Sequence, residues 1–379
     1  MTSTINEIKE RVDKFAIVLT GMPRGVSLYA WRKGMPNTYE KTVTAAEHSA
    51  HFPRWLQQGE KRKEVHIFVC SATHDTLDRY LQGEDPRLAG LDMEPYIDST
   101  DSEKIRLGRR LLRKHCYELN IDDKPVGGKI LLNKEKWEAY HRDCWKWADS
   151  VNFVYWDSFT LCREMAEHFA TNPLARDSGK NFTSWENQYL HFVAAFHQNQ
   201  KFFESLTESS VVIRHRYDLI LKPQYSAWRF AELLLSGHYS NPHDLNSWNT
   251  HHLGFSKSPK VLVPQTNIFR GQLGAPDYWS VFDGPGACLF GHEYVNYLKN
   301  DINRWYLPLK ITDDENIYFH MPEHSLPQFC LEYNYTILQT VDKILQMMSL
   351  KDPPILDQYR YHWYNWTKEM VKEIRETCI

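Results

Sequence analysis

The sequence predicts an α/β fold in which helices flank a mostly parallel central sheet. Two early runs rich in β-branched and aliphatic residues, FAIVLTGMPRG (15–25) and VHIFVCSATHD (65–75), each end in small or polar residues, which is typical of buried strands that lead into loops. The segment between them is polar and carries Gly34, Pro36 and Pro53, as expected for a helix with loops. Strands separated in this way indicate βαβ units, whose ligands bind beyond the carboxyl ends of the strands.

Hydrophobic periodicity predicts the remaining elements and the domain organisation. Thr183 is followed three residues later by Glu186, a capping-box pattern that marks the start of a helix. The spacing of apolar residues predicts helices over 101–119, 181–206, 226–237, 326–350 and 359–377, and strands over 211–221 and 260–270. We therefore expect an α/β core over residues 1–325 with a helical insertion around 95–205, and C-terminal helices over 326–379 that pack on the core.

Length and composition limit the classes of protein to which the chain can belong. The 379 residues exceed what one small core serves, and a formal net charge of −3 argues against a wholly basic nucleic-acid-binding surface. The seven cysteines are scattered without a C-x-x-C pair, which argues against a disulfide framework and against a zinc ribbon. The sequence has no apolar run of membrane-spanning length and no signal-peptide core, so we expect a cytosolic protein in a reducing compartment.

The stretch VVIRHRYDLIL (211–221) places charges inside a run that otherwise predicts a buried strand. Alternation along a strand sends Arg214, Arg216 and Asp218 to one face and leaves His215 to the other. Planar guanidinium groups suit a diphosphate, and the aspartate suits a divalent ion or a ribose hydroxyl. The alternative is an Arg–Asp ion pair that caps the end of the strand.

The stretch LTGMPRG (19–25) offers a second candidate site for phosphate. Gly21 lets the backbone approach a ligand closely, and Arg24 is long enough to reach its phosphate groups. The alternative is a simple turn that carries a surface arginine.

The stretch GAPDYWSVFDGPGACLFG (274–291) places two carboxylates beside aromatic residues. We expect Asp277 and Asp283 to lie on a loop, where a carboxylate next to a flat apolar surface suits the recognition of sugar hydroxyls. A turn with two solvated aspartates is the alternative.

The stretch IYFHMPEHSLPQF (317–329) adds a third carboxylate, Glu323, at the entry to a helix. It is a candidate general base or an acid favoured by the helix dipole in the first turn. The H-E-x-x-H, G-x-S-x-G and G-x-G-x-x-G motifs do not occur, so metalloprotease, serine-hydrolase and dehydrogenase interpretations lack their sequence signatures.

The predicted helix over 101–119 has a strongly basic outer face. Its arginines are Arg106, Arg109, Arg110 and Arg113. They are candidates for contacts with a phosphate-bearing acceptor, and a solvated helix face is the alternative.

Taken in order, these blocks resemble the WavE-like family of bacterial and viral glycosyltransferases. The resemblance rests on FAIVLTGMPRG, HIFVCSATHD, SWENQYLHFVAAF, VVIRHRYDLIL, DYWSVFDGPGACLF and MPEHSLPQF, and it spans about residues 15 to 330. Each motif is short, so their order carries more weight than any one of them.

The resemblance implies a GT-A-like core that binds a nucleotide sugar. It places near the donor Gly21, Arg24, Arg214, Arg216 and Asp218. It also implies Mg²⁺ or Mn²⁺ at Asp218, but Arg216 stands where the first aspartate of an Asp-x-Asp motif would be, so the arginines are an alternative means of neutralising the diphosphate. The general base is expected to be Asp283, then Asp277, then Glu323.

The function expected from the resemblance is transfer of a hexosyl or pentosyl group from a nucleotide sugar, such as a UDP-sugar, to an acceptor hydroxyl. The acceptor is a surface glycan or hydroxymethylated cytosine in phage DNA, and the expected location is the bacterial or phage-infected host cytoplasm. Two alternatives stay open at this point: a phosphoryl or sulfuryl transferase, and a non-enzymatic carbohydrate- or nucleic-acid-binding protein.

Overall fold

A seven-stranded mixed sheet lies at the centre of the fold, and across it the strands lie in the order Thr336–Gln339, Lys260–Val263, Trp279–Asp283, Val211–Arg216, Lys14–Thr20, Glu64–Ser71 and Ser150–Tyr155. The computed structural model describes residues 5–20, 62–76, 129–171, 187–216, 219–220, 227–236, 258–263, 267–269, 272–274, 279–300, 306–312, 315–320, 322–339 and 348–349. The strands of the sheet are β1 (Lys14–Thr20), β2 (Glu64–Ser71), β5 (Ser150–Tyr155), β6 (Val211–Arg216), β8 (Lys260–Val263), β11 (Trp279–Asp283) and β14 (Thr336–Gln339).

Six of the seven strands run in one direction. β1 pairs in parallel with β2 and β6, β2 pairs in parallel with β5, and β8 pairs in parallel with β14. β11 is antiparallel to both of its neighbours, β6 and β8. The predicted α/β class with a mostly parallel sheet is thus confirmed.

Helices cover both faces of the sheet. They are α1 (Ile5–Arg11), α2 (Lys134–Cys144), α3 (Thr160–Thr171), α4 (Asn187–Gln198), α5 (Gln200–Glu204), α6 (Ala227–Ser236), α7 (Gly284–Asn300) and α8 (Pro322–Glu332). A 3₁₀ turn (Trp156–Ser158) follows β5 directly. None of the helices in the described ranges has the length and apolar character that a membrane-spanning helix needs.

Within the described ranges, short strands form four smaller two-stranded ribbons outside the main sheet. They are β3 (His74–Thr76) with β4 (Lys129–Leu131), β7 (Leu219–Ile220) with β15 (Met348–Ser349), β9 (Asn267–Phe269) with β10 (Gln272–Gly274), and β12 (Tyr306–Thr312) with β13 (Glu315–His320). Each of these ribbons is antiparallel.

The sheet separates two apolar cores because neighbouring residues along a strand point to opposite faces. The first core joins Phe15, Ile17 and Leu19 of β1 to α1 and α6. The second core joins Ala16 and Val18 of the same strand to α3, α4, α5, α7 and α8. Burial on both faces explains why β1 is a continuous apolar run rather than an alternating one.

Several predicted elements are confirmed, with changes at their ends. The predicted strand over 211–221 is β6 followed by β7, and the helix over 181–206 is α4 followed by α5. The run at 260–270 contains two strands, β8 and β9, rather than one. The predicted helices over 101–119 and 359–377, and Thr183, lie outside the described residues.

Two predictions were wrong. Residues 336–339, inside the predicted helix over 326–350, form β14, which pairs with β8, so the sheet includes residues on both sides of the expected boundary at 325. The range 95–205, expected to be helical, contains β5, which pairs with β2. In both places pairing with a distant strand outweighs the local sequence pattern.

Candidate functional site

The carboxyl ends of four neighbouring parallel strands form the candidate site. β1 ends at Thr20, β2 at Ser71, β5 at Tyr155 and β6 at Arg216. β11 runs the other way, so it begins at this edge, where Trp279 pairs with His215. The carboxyl edge of an α/β sheet is the place where such folds bind ligands.

Arg214 is fully buried two residues before the end of β6. It follows Val212 onto the face of the second core, and its guanidinium carbon lies 4.6 Å from the centroid of the Tyr189 ring in α4. This geometry is a cation–π contact in a desolvated setting. The strand alternation therefore places Arg214 and His215 on opposite faces, as predicted.

His191 lies close to Arg214 and is neutral at pH 7. Burial lowers the pKa of the His191 imidazole to about 3; the negative charge of Asp157 opposes this effect and the positive charge of Arg214 adds to it. The ring stacks with that of Trp156, at 6.1 Å between centroids. A neutral imidazole is thus held near two groups of opposite charge.

Asp157 joins the exits of β2 and β5. It lies in the 3₁₀ turn after β5 and is nearly buried. The backbone N–H of Thr73 donates to both carboxylate oxygens at 3.0 Å, and the Thr73 hydroxyl donates to the same carboxylate. Because hydrogen bonds to a carboxylate are stronger than neutral ones, this is a firm connection between two strand ends.

Four buried polar groups at this edge have no hydrogen-bond partner in the described part of the chain. They are the hydroxyls of Thr20 and Ser280 and the indole N–H groups of Trp156 and Trp279. A buried polar group that stays unsatisfied costs about 1–3 kcal/mol, so each calls for a ligand or an ordered water. Two other such groups, on Trp147 and His197, lie away from this edge.

Asp283 lies near the amino ends of the parallel strands, at the end of the sheet opposite to the candidate site. It pairs with Val211, the first residue of β6, which is three residues, or about 10 Å, before Arg214. The predicted loop is wrong here, because Gly284 and the residues after it form the first turn of α7.

The contacts of Asp283 are those of a helix cap. Its carboxylate accepts hydrogen bonds from the N–H of Gly286 at 2.9 Å, the N–H of Lys260 at 2.9 Å and the hydroxyl of Ser258 at 2.6 Å. Burial raises the pKa of Asp283, and these hydrogen bonds and the charge of Lys260 oppose that rise. The role of general base stays a prediction for Asp283, and this position does not favour it.

The other predicted site residues are only partly described. Arg216 is the last residue of β6, and Glu323 is the second residue of α8. Outside the described residues lie Gly21, Arg24, Asp277, Asp218, Arg106, Arg109, Arg110 and Arg113. Their roles remain predictions.

The sequence pattern did not identify Thr73, Asp157, Tyr189 or His191 as site residues. Thr73 and Asp157 each come just after a strand of the sheet. That position was an available signal for Thr73, but the signal for Asp157 depended on recognising β5. Tyr189 and His191 lie on a helix whose apolar periodicity indicates core, and only the fold brings them to Arg214.

The described residues contain no group of three or more His, Cys, Asp or Glu that could hold a metal ion. Asp157, the carboxylate described at this edge, already accepts three hydrogen bonds from Thr73. A role for Mg²⁺ or Mn²⁺ therefore depends on Asp218 and stays a prediction.

Comparisons of the chain with protein-family models, with curated proteins and with solved structures find no match.

Proposed function

We propose that the chain is a nucleotide-sugar-dependent glycosyltransferase with a GT-A-like core, of the WavE-like kind. The sheet topology supports this assignment. In chain order β11 is the sixth strand of the sheet and the one that runs against the others. A GT-A-like core is expected to have one antiparallel strand inside an otherwise parallel sheet, and β11 is third from one end of this sheet.

The observation that carries the proposal is a pair of buried, unsatisfied hydroxyls on either side of β6. Ser280 pairs with Arg214 and Thr20 pairs with Arg216, so all four residues belong to the same face of the sheet near its carboxyl edge. The two hydroxyls have no hydrogen-bond partner within the described residues. Hydroxyl and guanidinium donors together suit the oxygens of a diphosphate.

The chemistry would be a displacement at the anomeric carbon of the donor sugar. The acceptor oxygen forms the new bond to this carbon while the bond to the diphosphate oxygen breaks, and a carboxylate takes the proton of the acceptor hydroxyl. The departing nucleoside diphosphate keeps the electron pair, and arginines stabilise its charge. Asp277 and Glu323 are favoured for the base over Asp283, which lies at the far edge of the sheet.

A nucleotide screen tests the proposal. Thermal shift and calorimetry compare UDP, GDP, CDP, ADP and CMP, each with and without Mg²⁺ or Mn²⁺. A selective rise in melting temperature with one nucleotide supports the proposal and names the donor base, because a ligand at 100 times its Kd stabilises by about 2.7 kcal/mol. A chain that responds to none of them would contradict the proposal and favour a binding protein or an unrelated transferase.

Variants of the expected donor contacts give the second test. Arg216→Ala and Asp218→Ala should raise the Kd of the selected nucleotide at least about tenfold and leave the fold intact, since a charge-assisted hydrogen bond contributes about 1.5–3 kcal/mol. Arg163→Ala is the matched control, because Arg163 is exposed on α3. Unchanged affinity in both test variants would remove these residues from the donor site.

The salt dependence of DNA binding tests the class of acceptor separately. If the acceptor is hydroxymethylated DNA, binding should weaken steeply as salt rises, because phosphate contacts release counterions. Sugar transfer to a glycan without such salt-dependent DNA binding would indicate a surface-glycan acceptor. Turnover of a nucleoside triphosphate or a sulfate donor, with the nucleotide sugar intact, would indicate phosphoryl or sulfuryl transfer instead.

A further inference from the structure

We infer that Asp157 is a positioning residue of this site, which holds the exit of β2 through Thr73 so that the carboxyl edge is preformed for the donor. The inference rests on the proposed function. Asp157 does not need to touch the donor, because its carboxylate is occupied by protein donors.

Three hydrogen bonds connect Asp157 to Thr73. One carboxylate receives the backbone N–H and the side-chain hydroxyl of a single threonine 84 residues away in the sequence. The N–H bond fixes the main chain after β2, and the hydroxyl bond fixes the rotamer of Thr73. The position and the orientation of this segment are therefore both set by Asp157.

Thr73 is also tied on its other side. Its carbonyl oxygen accepts a hydrogen bond from the N–H of Leu132 at 2.9 Å. The next residue, His74, begins β3, which pairs with β4 just before Leu132. A shift at Thr73 would thus move the end of β2 and the base of this ribbon together.

Asp157 also belongs to the buried layer beneath the strand ends. Its charge acts on His191, and so does the charge of Arg214, with the opposite sign. Trp156, its neighbour in the chain, stacks on His191. The ring stacking and the electrostatic interactions connect the exits of β2 and β5 to α4 and to β6, which lies between the two strands that carry the unsatisfied hydroxyls.

A carboxylate at the amino edge provides a matched control. Asp13 accepts hydrogen bonds from the hydroxyls of Thr207 and Ser210, at 2.7 and 2.8 Å, and from the N–H of Lys14 at 2.6 Å. Like Asp157, it joins segments that are distant in sequence. Loss of the Asp13 carboxylate should lower the stability of the fold without changing the carboxyl ends of the strands.

The test compares Asp157→Ala, Thr73→Val, Thr73→Ser and Asp13→Ala with the wild type. Calorimetry measures the Kd of the nucleoside diphosphate that gives the largest shift in the screen, at a temperature where every variant is folded, and donor hydrolysis gives KM and kcat. We expect Asp157→Ala and Thr73→Val to raise Kd and KM at least about tenfold, because a strand exit that is no longer held in place must be ordered when the ligand binds. The kcat should stay within about threefold, since the lost interactions serve binding in ground and transition states alike.

The two controls separate positioning from general loss of stability. Thr73→Ser keeps both donors to Asp157 and should stay within about twofold of the wild-type Kd. Asp13→Ala should lower the melting temperature and leave the Kd unchanged. If Asp157→Ala does not fold, Thr73→Val decides the question alone, because it keeps the backbone hydrogen bond.

Two results would overturn the inference while the proposed function stands. One is wild-type affinity in the folded Asp157→Ala and Thr73→Val variants. The other is a rise in Kd for Asp13→Ala as large as theirs, which would show that any loss of stability weakens binding. Failure of the wild type to bind any nucleotide in the screen is a different result, and it would refute the proposed function and this inference together.

Discussion

At the scale of single residues, Arg214 carries a charge into the second core. A buried cation is costly unless its surroundings compensate, and here the face of the Tyr189 ring lies 4.6 Å from the guanidinium carbon. The ring also packs on Phe290 and Tyr294 of α7. Tyr189 thus joins the charged end of β6 to the helices that cover it.

Two substitutions at Tyr189 separate the ring from its hydroxyl. Tyr189→Leu removes the aromatic face and should lower the free energy of unfolding by about 2–4 kcal/mol, through lost packing and the lost cation–π contact. Tyr189→Phe keeps the face and should cost about 1 kcal/mol or less. Urea denaturation measures both, and equal losses in the two variants would mean that the ring face does not stabilise Arg214.

Asp283 provides a second prediction at this scale. Asp283→Ala should lower the free energy of unfolding by about 2–3 kcal/mol, because two buried N–H groups and one half-buried hydroxyl lose their acceptor and α7 loses its cap. Ser258→Ala removes one of the three hydrogen bonds and should cost less. Under the proposed function, the kcat of the folded Asp283→Ala variant should stay within about threefold of the wild type. A loss of about a hundredfold or more in kcat at unchanged stability would instead support the general-base role.

At the scale of elements, the start of α7 shows what the local pattern does and does not predict. Asp-Gly-Pro-Gly is typical of a turn, yet Gly284 is the first helical residue and Asp283 caps the helix. Proline is favoured early in a helix. Glycine at 286 is required by packing, because a Cβ there would overlap the carbonyl oxygen of Lys260 and press on the ring of Tyr335. These partners are distant in sequence, so the pattern alone could not predict the cap.

The same distinction explains which strands the sequence predicted. β1 and β2 are buried on both faces and appear as apolar runs. β5 is an edge strand in which Ser150 and Asn152 interrupt the apolar pattern, and β14 continues the helical periodicity of α8. Arg214 and its strand were predictable from alternation, whereas its neighbours on α4 and the 3₁₀ turn depend on the fold.

The contact between α4 and α7 gives a prediction at this scale. The helices approach closely at Gly291, where an added Cβ would overlap the ring of Phe196. Gly291→Ala gains about 1 kcal/mol of helix propensity but forces a buried ring to move, at a cost of about 1–3 kcal/mol. We therefore expect a net loss of up to about 2 kcal/mol in urea denaturation. Asn296→Ala, at an exposed position of α7, is the control and should be neutral or slightly stabilising.

At the scale of the whole molecule, two buried histidines in the described part of the chain, one on each side of the sheet, have a strongly lowered pKa. His141 of α2 lies between Trp137 and Trp145 at the first core, and His191 lies at the second. Burial lowers the pKa of each imidazole to about 3. Both are neutral in the folded chain, whereas in the unfolded chain each takes up a proton near pH 6.5.

This difference predicts that acid destabilises the molecule as a whole. The unfolded state binds more protons below pH 6.5, so the free energy of unfolding falls as the pH falls, and between pH 7 and pH 5.5 the two histidines together account for a loss of about 2–3 kcal/mol. The raised pKa of Asp283 acts in the opposite direction at lower pH, because a carboxyl whose pKa is raised by folding favours the folded state once it is protonated.

Urea denaturation at several pH values between 7 and 5.5 measures the slope. His141→Phe removes one of the two groups and should reduce the loss of stability over this range by about 1.3 kcal/mol, whatever its effect at pH 7. A wild type whose stability is constant over this range, or a variant with the wild-type slope, would mean that burial of these imidazoles does not control the acid response.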